Sequence, residues 1–297
     1  MRYLLFFVVL FSYGQEGSIW DRLTVLENNG KLWLNIDGYS ITSEDFQVSF
    51  NPTELKKLYK KHEITNKDLK SSNPQIKATH YYASKLKDNG LGKPQVENYY
   101  FVKNKKGQVT VIWFARLHTA EKDVEEFLVN HIIEGTIPQR NYADPYTATI
   151  NFAGREFYPL SCYWMALNNL QCSIGGEMNW SIYQNLEDAQ RAIADQEDNT
   201  LARELMKLVS QEKVEVVFEE VPTQAKKLVI ELQGGAKLLA GMSGGKVLTI
   251  YYVAQQVRGR YISCVMSYWD NDVIHSNTGL PYLLSKVMTL KKMRSDK

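Results

Sequence analysis

The stretch that most limits the fold runs from Lys246 to Trp269. Lys246-Val-Leu-Thr-Ile-Tyr-Tyr-Val-Ala is apolar on both faces, as a strand inside a sheet requires. A turn at Arg258-Gly259 leads into Arg260-Tyr-Ile-Ser-Cys-Val-Met-Ser-Tyr-Trp269. That run alternates, with Ile262, Cys264, Met266 and Tyr268 on one side and Tyr261, Ser263, Val265 and Ser267 on the other. Two long antiparallel strands need a cover. Leu280 to Leu290 offers one, because Pro281 suits a first helical turn and Leu283, Leu284, Val287 and Leu290 form a stripe.

Upstream, the same logic yields an α+β chain of antiparallel sheets with helices packed on them. Leu23–Glu27 and Lys31–Ile36 flank Asn28-Asn29-Gly30, and Asn-Gly is the strongest short hairpin signal. Asp37-Gly38 turns the chain into Tyr39–Thr42, and Asn51-Pro-Thr-Glu54 opens a helix to about His62. Strands follow at Tyr99–Lys103 and Gln108–Leu117. Val124, Phe127, Leu128, His131 and Ile132 then share a helical face, with Gly135 placed to end it. Residues 135–146 hold Pro138 and Pro145 and no apolar period, so the chain divides into 15–140 and 141–297. Beyond the divide the pattern gives strands at 147–152, 156–160 and 179–183, and an irregular segment from Cys162 to Cys172. Helices are expected over 186–194 and 201–209, then a hairpin joining 214–218 to 227–232.

The amino terminus points to export. Met1-Arg2, the apolar run Leu4–Phe11 and Ser12-Tyr13-Gly14 have the order of a secretory signal peptide over residues 1–14. That run falls far short of the ~20 apolar residues that span a bilayer, so the chain is not expected to span one. In an oxidising compartment Cys162 and Cys172 are close enough in sequence to bridge. The alternative is that they and Cys264 are three buried thiols.

Charge excludes some classes. The net charge of +2 gives no global reason to bind nucleic acid. Between Asn51 and Thr110, thirteen lysines stand against five acids, and no arginine is among them; lysine without arginine reads as a solvated face. An acid-rich stretch from Glu177 to Val221 offers these lysines a partner within the fold. Aromatic clusters at 97–114 and 251–269 suit either a core or stacking on sugar rings.

One catalytic pattern occurs. Gly241-Met-Ser243-Gly-Gly245 satisfies Gly-x-Ser-x-Gly, and Asp270 or Asp272 and then His275 follow in the order of a hydrolase triad. Such a serine needs a helix after it, yet Val247–Val253 reads as a strand, so a glycine-rich turn is the expected structure. Gly244-Gly245-Lys246 lacks the serine or threonine of a phosphate loop. Asp270-Asn-Asp272 lacks the glycine and distal glutamate of a calcium loop. No cofactor or metal motif remains.

The expected function is therefore an exported, non-enzymatic binding or interaction protein. Its partner would be a glycan, an anionic polymer or a protein of the cell envelope. The alternative is a secreted serine hydrolase using Ser243, Asp270 and His275. A deep pocket gathering polar groups from distant segments would strengthen the enzyme reading.

Overall fold

The computed structural model describes residues 19–88, 94–117, 120–234 and 245–291. The fold is α+β, with two large antiparallel sheets forming two subdomains. The signal-like segment and Gly241–Gly244 lie outside the described residues.

The first sheet comprises β1 (Thr24–Asn28), β2 (Lys31–Ile36), β3 (Tyr39–Ser49), β4 (Leu69–Lys70), β5 (His80–Lys87), β6 (Gln95–Lys103) and β7 (Gln108–Arg116). Their spatial order is β1-β2-β3-β7-β6-β5-β4. Helices cover both faces, so the central strands are apolar on both sides. Tyr100, Val102, Ile112 and Phe114 pack with Val124, Leu128 and Val129 of α2 (Lys122–Glu134). Tyr99, Phe101, Val109 and Val111 pack under Leu55 and Leu58 of α1 (Pro52–Lys61). Asn51 caps α1 by accepting from Thr53 N and Glu54 N, and Gly135 ends α2 at φ 69°. His131 lies against Phe127 and Trp20, with Nδ1 2.6 Å from Thr136 Oγ1.

The second sheet comprises β10 (Cys162–Ala166), β11 (Asn169–Cys172), β12 (Gly176–Tyr183), β13 (Met206–Phe218), β14 (Val221–Leu232), β15 (Val247–Val257), β16 (Arg260–Trp269) and β19 (Met288–Leu290). Their order is β10-β11-β12-β16-β15-β14-β13-β19, with β15 and β16 at the centre. One face is closed by α3 (Leu186–Leu201), where Ile193 meets Leu228, Ile230, Ile250 and Tyr252. The other packs on the hairpin of β8 (Ile150–Phe152) and β9 (Arg155–Phe157), together with Leu283 and Leu284 of α4 (Tyr282–Ser285). The pair β17 (Ile274–His275) and β18 (Leu280–Pro281) leads into α4.

Several expectations need correction. Residues 201–209 are not a second helix: α3 ends at Leu201 and Met206–Ser210 already belong to β13. Pairing of Met206 with Leu232 and Leu208 with Ile230 overrides the local helical spacing. The expected terminal helix is one turn, after which Met288–Leu290 pair with Val216–Phe218. The segment from Cys162 to Cys172 is a hairpin, irregular only where the register shifts between Trp164 and Ala166. Among the described residues the acid-rich stretch pairs with Lys226 (Glu197), Lys227 (Glu212), and Arg155 and Arg258 (Glu219), rather than with the lysines of residues 51–110. The two aromatic clusters are mainly core, with Tyr99, Tyr100, Phe101, Tyr251 and Tyr252 buried.

The halves meet through polar contacts. Asp37 N donates to Ile182 O at 3.0 Å, and Gly38 N to Ser181 Oγ at 3.2 Å. Asn35 Oδ1 accepts from both Ser181 Oγ (2.7 Å) and Asn168 Nδ2 (3.2 Å).

Candidate interaction surface

One end of the second sheet carries a face that burial does not explain. Cys162 and Cys172 are directly opposed on β10 and β11 and are joined by a disulfide, with Cα atoms 4.0 Å apart. Inside this hairpin Trp164 and Leu170 turn toward the core. Tyr163 and Met165 turn outward and are half-exposed.

Beside the bridge, Tyr282 organises three separate segments. Its hydroxyl accepts from Leu160 N at 3.1 Å and donates to Tyr158 O at 3.2 Å. Its ring lies 6.2 Å from that of His275 and 4.6 Å under the Lys286 ammonium. The turn after the hairpin joins the same cluster, because Leu283 N donates to Gly175 O and Val273 N to Ile174 O. Tyr158, Leu160, Ile174, Val273 and Ile274 are between 45% and 62% exposed. So many large apolar side chains on one face mark an interaction surface more often than chance exposure.

The backbone holds this face outward. Ile174 sits at φ 50° and Ser161 at φ 60°, a region that a β-branched residue in particular enters only under constraint. The constraint is packing: a Cβ added at Gly176 would lie 2.7 Å from Leu284 Cδ1. The turn is pressed on the sheet, and Ile174 is left largely exposed. Acids adjoin these segments in sequence, namely Glu156, Glu177, Asp270 and Asp272, beside the cations Lys286 and Arg155, the latter paired with Glu219. Burial pushes the Asp272 carboxyl up, with hydrogen bonds from backbone amides opposing the shift.

The residues expected to be catalytic are not assembled. Asp270 Oδ1 accepts from Lys246 N (2.7 Å) and Val247 N (3.3 Å), so it ties two backbone segments together. His275 stands on the exposed face against Tyr282, and no hydrogen bond joins it to Asp270 among the described residues. Ser243 lies outside the described residues; the chain after Gly245 continues as strand β15, not as a helix. Asp272 Oδ2 accepts from Trp269 N within its own turn, and among the described residues no metal-capable cluster forms. Cys264 is a buried thiol whose pKa burial raises well above the usual range, as suits an inert core group. Asn179-Trp-Ser181 has the spacing of a glycosylation acceptor, but Asn179 lies within β12, paired with Asn169 and Val265, an unsuitable place for a glycan.

A cavity does gather polar groups from distant segments. It lies between the halves, has a volume of about 170 Å³, and is lined by Asp21, Arg140, Asn141, Asn151, Asn168 and Arg260 beside three tryptophans. Amides, two guanidinium groups and one carboxylate suit hydrogen-bonding recognition, and the lining offers neither histidine nor cysteine as a base or nucleophile.

No protein-family model and no curated protein sequence matches the chain. A chain of the crystal structure of the Tle4-Tli4 complex aligns over 87% of this chain and 89% of its own, at 9% identity and a TM-score of 0.26. That similarity is too low to carry an argument about fold or function. No helix among the described residues is long and apolar enough to cross a membrane.

Proposed function

We propose that the protein is an exported, non-enzymatic interaction module that docks a folded protein partner on the face around Tyr282. The observation that carries this reading is the outward display of Tyr158, Leu160, Tyr163 and Ile174 by a disulfide-linked hairpin and a strained turn. A monomer gains nothing by holding those groups in water. The acidic surroundings select a partner with an apolar centre and a lysine- or arginine-rich border. The disulfide supports export, because such bridges persist in oxidising compartments. A serine hydrolase reading has no comparable support, since β15 occupies the place of the required helix.

The test is a photo-crosslinker placed at Tyr163 in the full chain, exposed to envelope extract, with the crosslinked partner identified and then purified. The partner should bind the wild-type protein, lose most of its affinity for Leu160→Asp, and bind Lys56→Glu as well as wild type. Equal binding to all three would overturn the proposal. So would sedimentation showing that the face pairs two copies of this chain. Fluorophosphonate probes should leave Ser243 unlabelled; robust labelling would restore the hydrolase reading.

A further inference from the structure

The second sheet leaves one edge open. β19 pairs with β13 only from Val216 to Phe218, and among the described residues no strand pairs with Met206–Glu215 on that side. Two backbone bonds show which groups face outward there. Lys291 N donates to Glu215 O (3.1 Å) and Glu219 N to Val287 O (2.8 Å), so Glu215 and Glu219 turn their backbone groups away from β14. By alternation Gln211 and Lys213, which follow the register shift between Leu208 and Ser210, present N–H and C=O to the open side. A groove of about 660 Å³ runs along this edge. Four consecutive residues of β13, Glu212 to Glu215, line it. Successive side chains of a strand point to opposite faces, so only the edge itself can present all four. Leu290, Lys291 and the turn Ser276–Gly279 line it as well, and none of the residues of the Tyr282 face does.

An open edge with a groove beside it has the parts of strand addition, in which main-chain bonds supply affinity and pockets for alternate side chains supply selectivity. β19 fixes the geometry, because it already pairs with part of this edge in antiparallel register. A segment in line with β19 sets successive residues opposite Val214, Lys213 and Glu212. Val214 and Leu290 are partly buried against the core, so the residue opposite Val214 meets apolar neighbours. Lys213 is exposed and stands opposite Lys226, whose ammonium is held by Glu197 at 2.5 Å. Like charges directly opposed on a sheet repel, so the open side of Lys213 favours an acid. Glu212 is answered by Lys227 at 2.8 Å and needs no further charge. An exposed lysine also guards an edge against indiscriminate pairing, and a matching acid lifts that guard. We propose that this edge binds an extended segment of a partner protein, antiparallel to β13, with an apolar residue opposite Val214 followed by an acidic residue opposite Lys213. The site does not depend on the Tyr282 face.

The probe is the pentapeptide acetyl-Val-Glu-Thr-Thr-Val with a carboxyl-terminal fluorophore, followed by anisotropy against the full chain. It should bind saturably, and the same peptide with lysine in place of glutamate should bind about threefold more weakly. Lys213→Glu should reverse that preference. Methylating the glutamate's amide nitrogen, which donates to Lys213 O in this register, should weaken binding about tenfold or more. Methylating the nitrogen of the next residue, which faces away from β13, should change little. Lys213→Pro removes an outward N–H without touching the β14 ladder, and should abolish binding at an unchanged urea midpoint. If that variant fails to fold, the two methylated peptides decide the matter. Equal binding of both would show occupation of the groove without strand pairing, and would overturn the proposal. So would the absence of saturable binding by protein that melts cooperatively, or binding that appears only once residues 292–297 are removed. Self-association of the chain that Lys213→Pro breaks would give the edge to a second copy and overturn it equally.

Discussion

Arg22 and Asp37 form a two-pronged ion pair at the junction of the halves, Nε 2.9 Å from Oδ1 and Nη2 2.9 Å from Oδ2, with side chains only 5% and 4% exposed. Asp37 also donates its backbone N–H to Ile182 O across the junction. Burial raises the Asp37 carboxyl and the Arg22 guanidinium opposes the rise. Asp37→Asn tolerates the local φ of 48° but removes the carboxylate that faces a buried guanidinium. It should cost about 3–5 kcal/mol, read from urea unfolding. The double variant Arg22→Met/Asp37→Asn should recover part of that loss; a double variant as unstable as the sum of the singles would show that the pair is not a unit.

The same junction shows what was legible in the sequence. Asn29-Gly30 and Asp37-Gly38 announced turns through residue types that tolerate positive φ, and both turns form there. The alternation in Arg260–Trp269 announced β16 because its apolar set, Ile262, Cys264 and Met266, fills the core on one face of the sheet. Met206–Ser210 misled because Leu205 and Leu208 keep helical spacing yet stay exposed, and only pairing with a strand some twenty residues on decides their conformation. The interaction face was invisible for a related reason. Tyr158, Ile174, Val273 and Tyr282 come from separate segments, and no local pattern marks an apolar residue as one that will remain outside.

Glu125 supplies a pH dependence. Its carboxylate is fully buried and accepts from Asn98 Nδ2 (2.8 and 3.0 Å), Tyr39 Oη (3.1 Å) and Tyr100 Oη (2.7 Å). Burial raises its pKa above the ordinary 4.5, with the Asn98 and tyrosine hydrogen bonds and Arg116 opposing the rise. The folded chain therefore keeps this proton at pH values where the unfolded chain has lost it. The stabilisation is complete below the unfolded pKa and is lost as pH rises through the folded one. Between about pH 5 and pH 8 the wild-type urea midpoint should fall more than that of Glu125→Gln, so the gap between the two narrows as pH rises. A gap that widens with pH would reverse the assigned sign.

The disulfide makes a separate prediction. Cys162→Ser opens a bridge between residues ten apart, and should cost about 2–3 kcal/mol if the entropic account of short loops holds. Reduction of the wild type with thiol should reproduce the loss, and should leave Cys162→Ser unaffected. A reduced wild-type protein as stable as the oxidised one would mean that β10–β11 pairing alone holds the hairpin.

Ile174 separates a structural role for the exposed face from a functional one. A β-branched residue at φ 50° carries a conformational cost of about 1–2 kcal/mol, and this side chain is 62% exposed, so little burial offsets it. Glycine occupies the left-handed region freely, although it also enlarges the unfolded ensemble by about 0.5–1 kcal/mol. Ile174→Gly should therefore be neutral to about 1 kcal/mol more stable than wild type. If the face docks a partner, the same substitution removes an anchor from its centre and should weaken binding about tenfold or more, as loss of a buried apolar anchor does. Ile174→Asn, which also tolerates this φ, should behave like glycine on both counts. Stability and affinity moving in opposite directions is the signature of a side chain held for its partner. A variant that loses stability while binding the crosslinked partner normally would instead place Ile174 among the residues that hold the turn on the sheet.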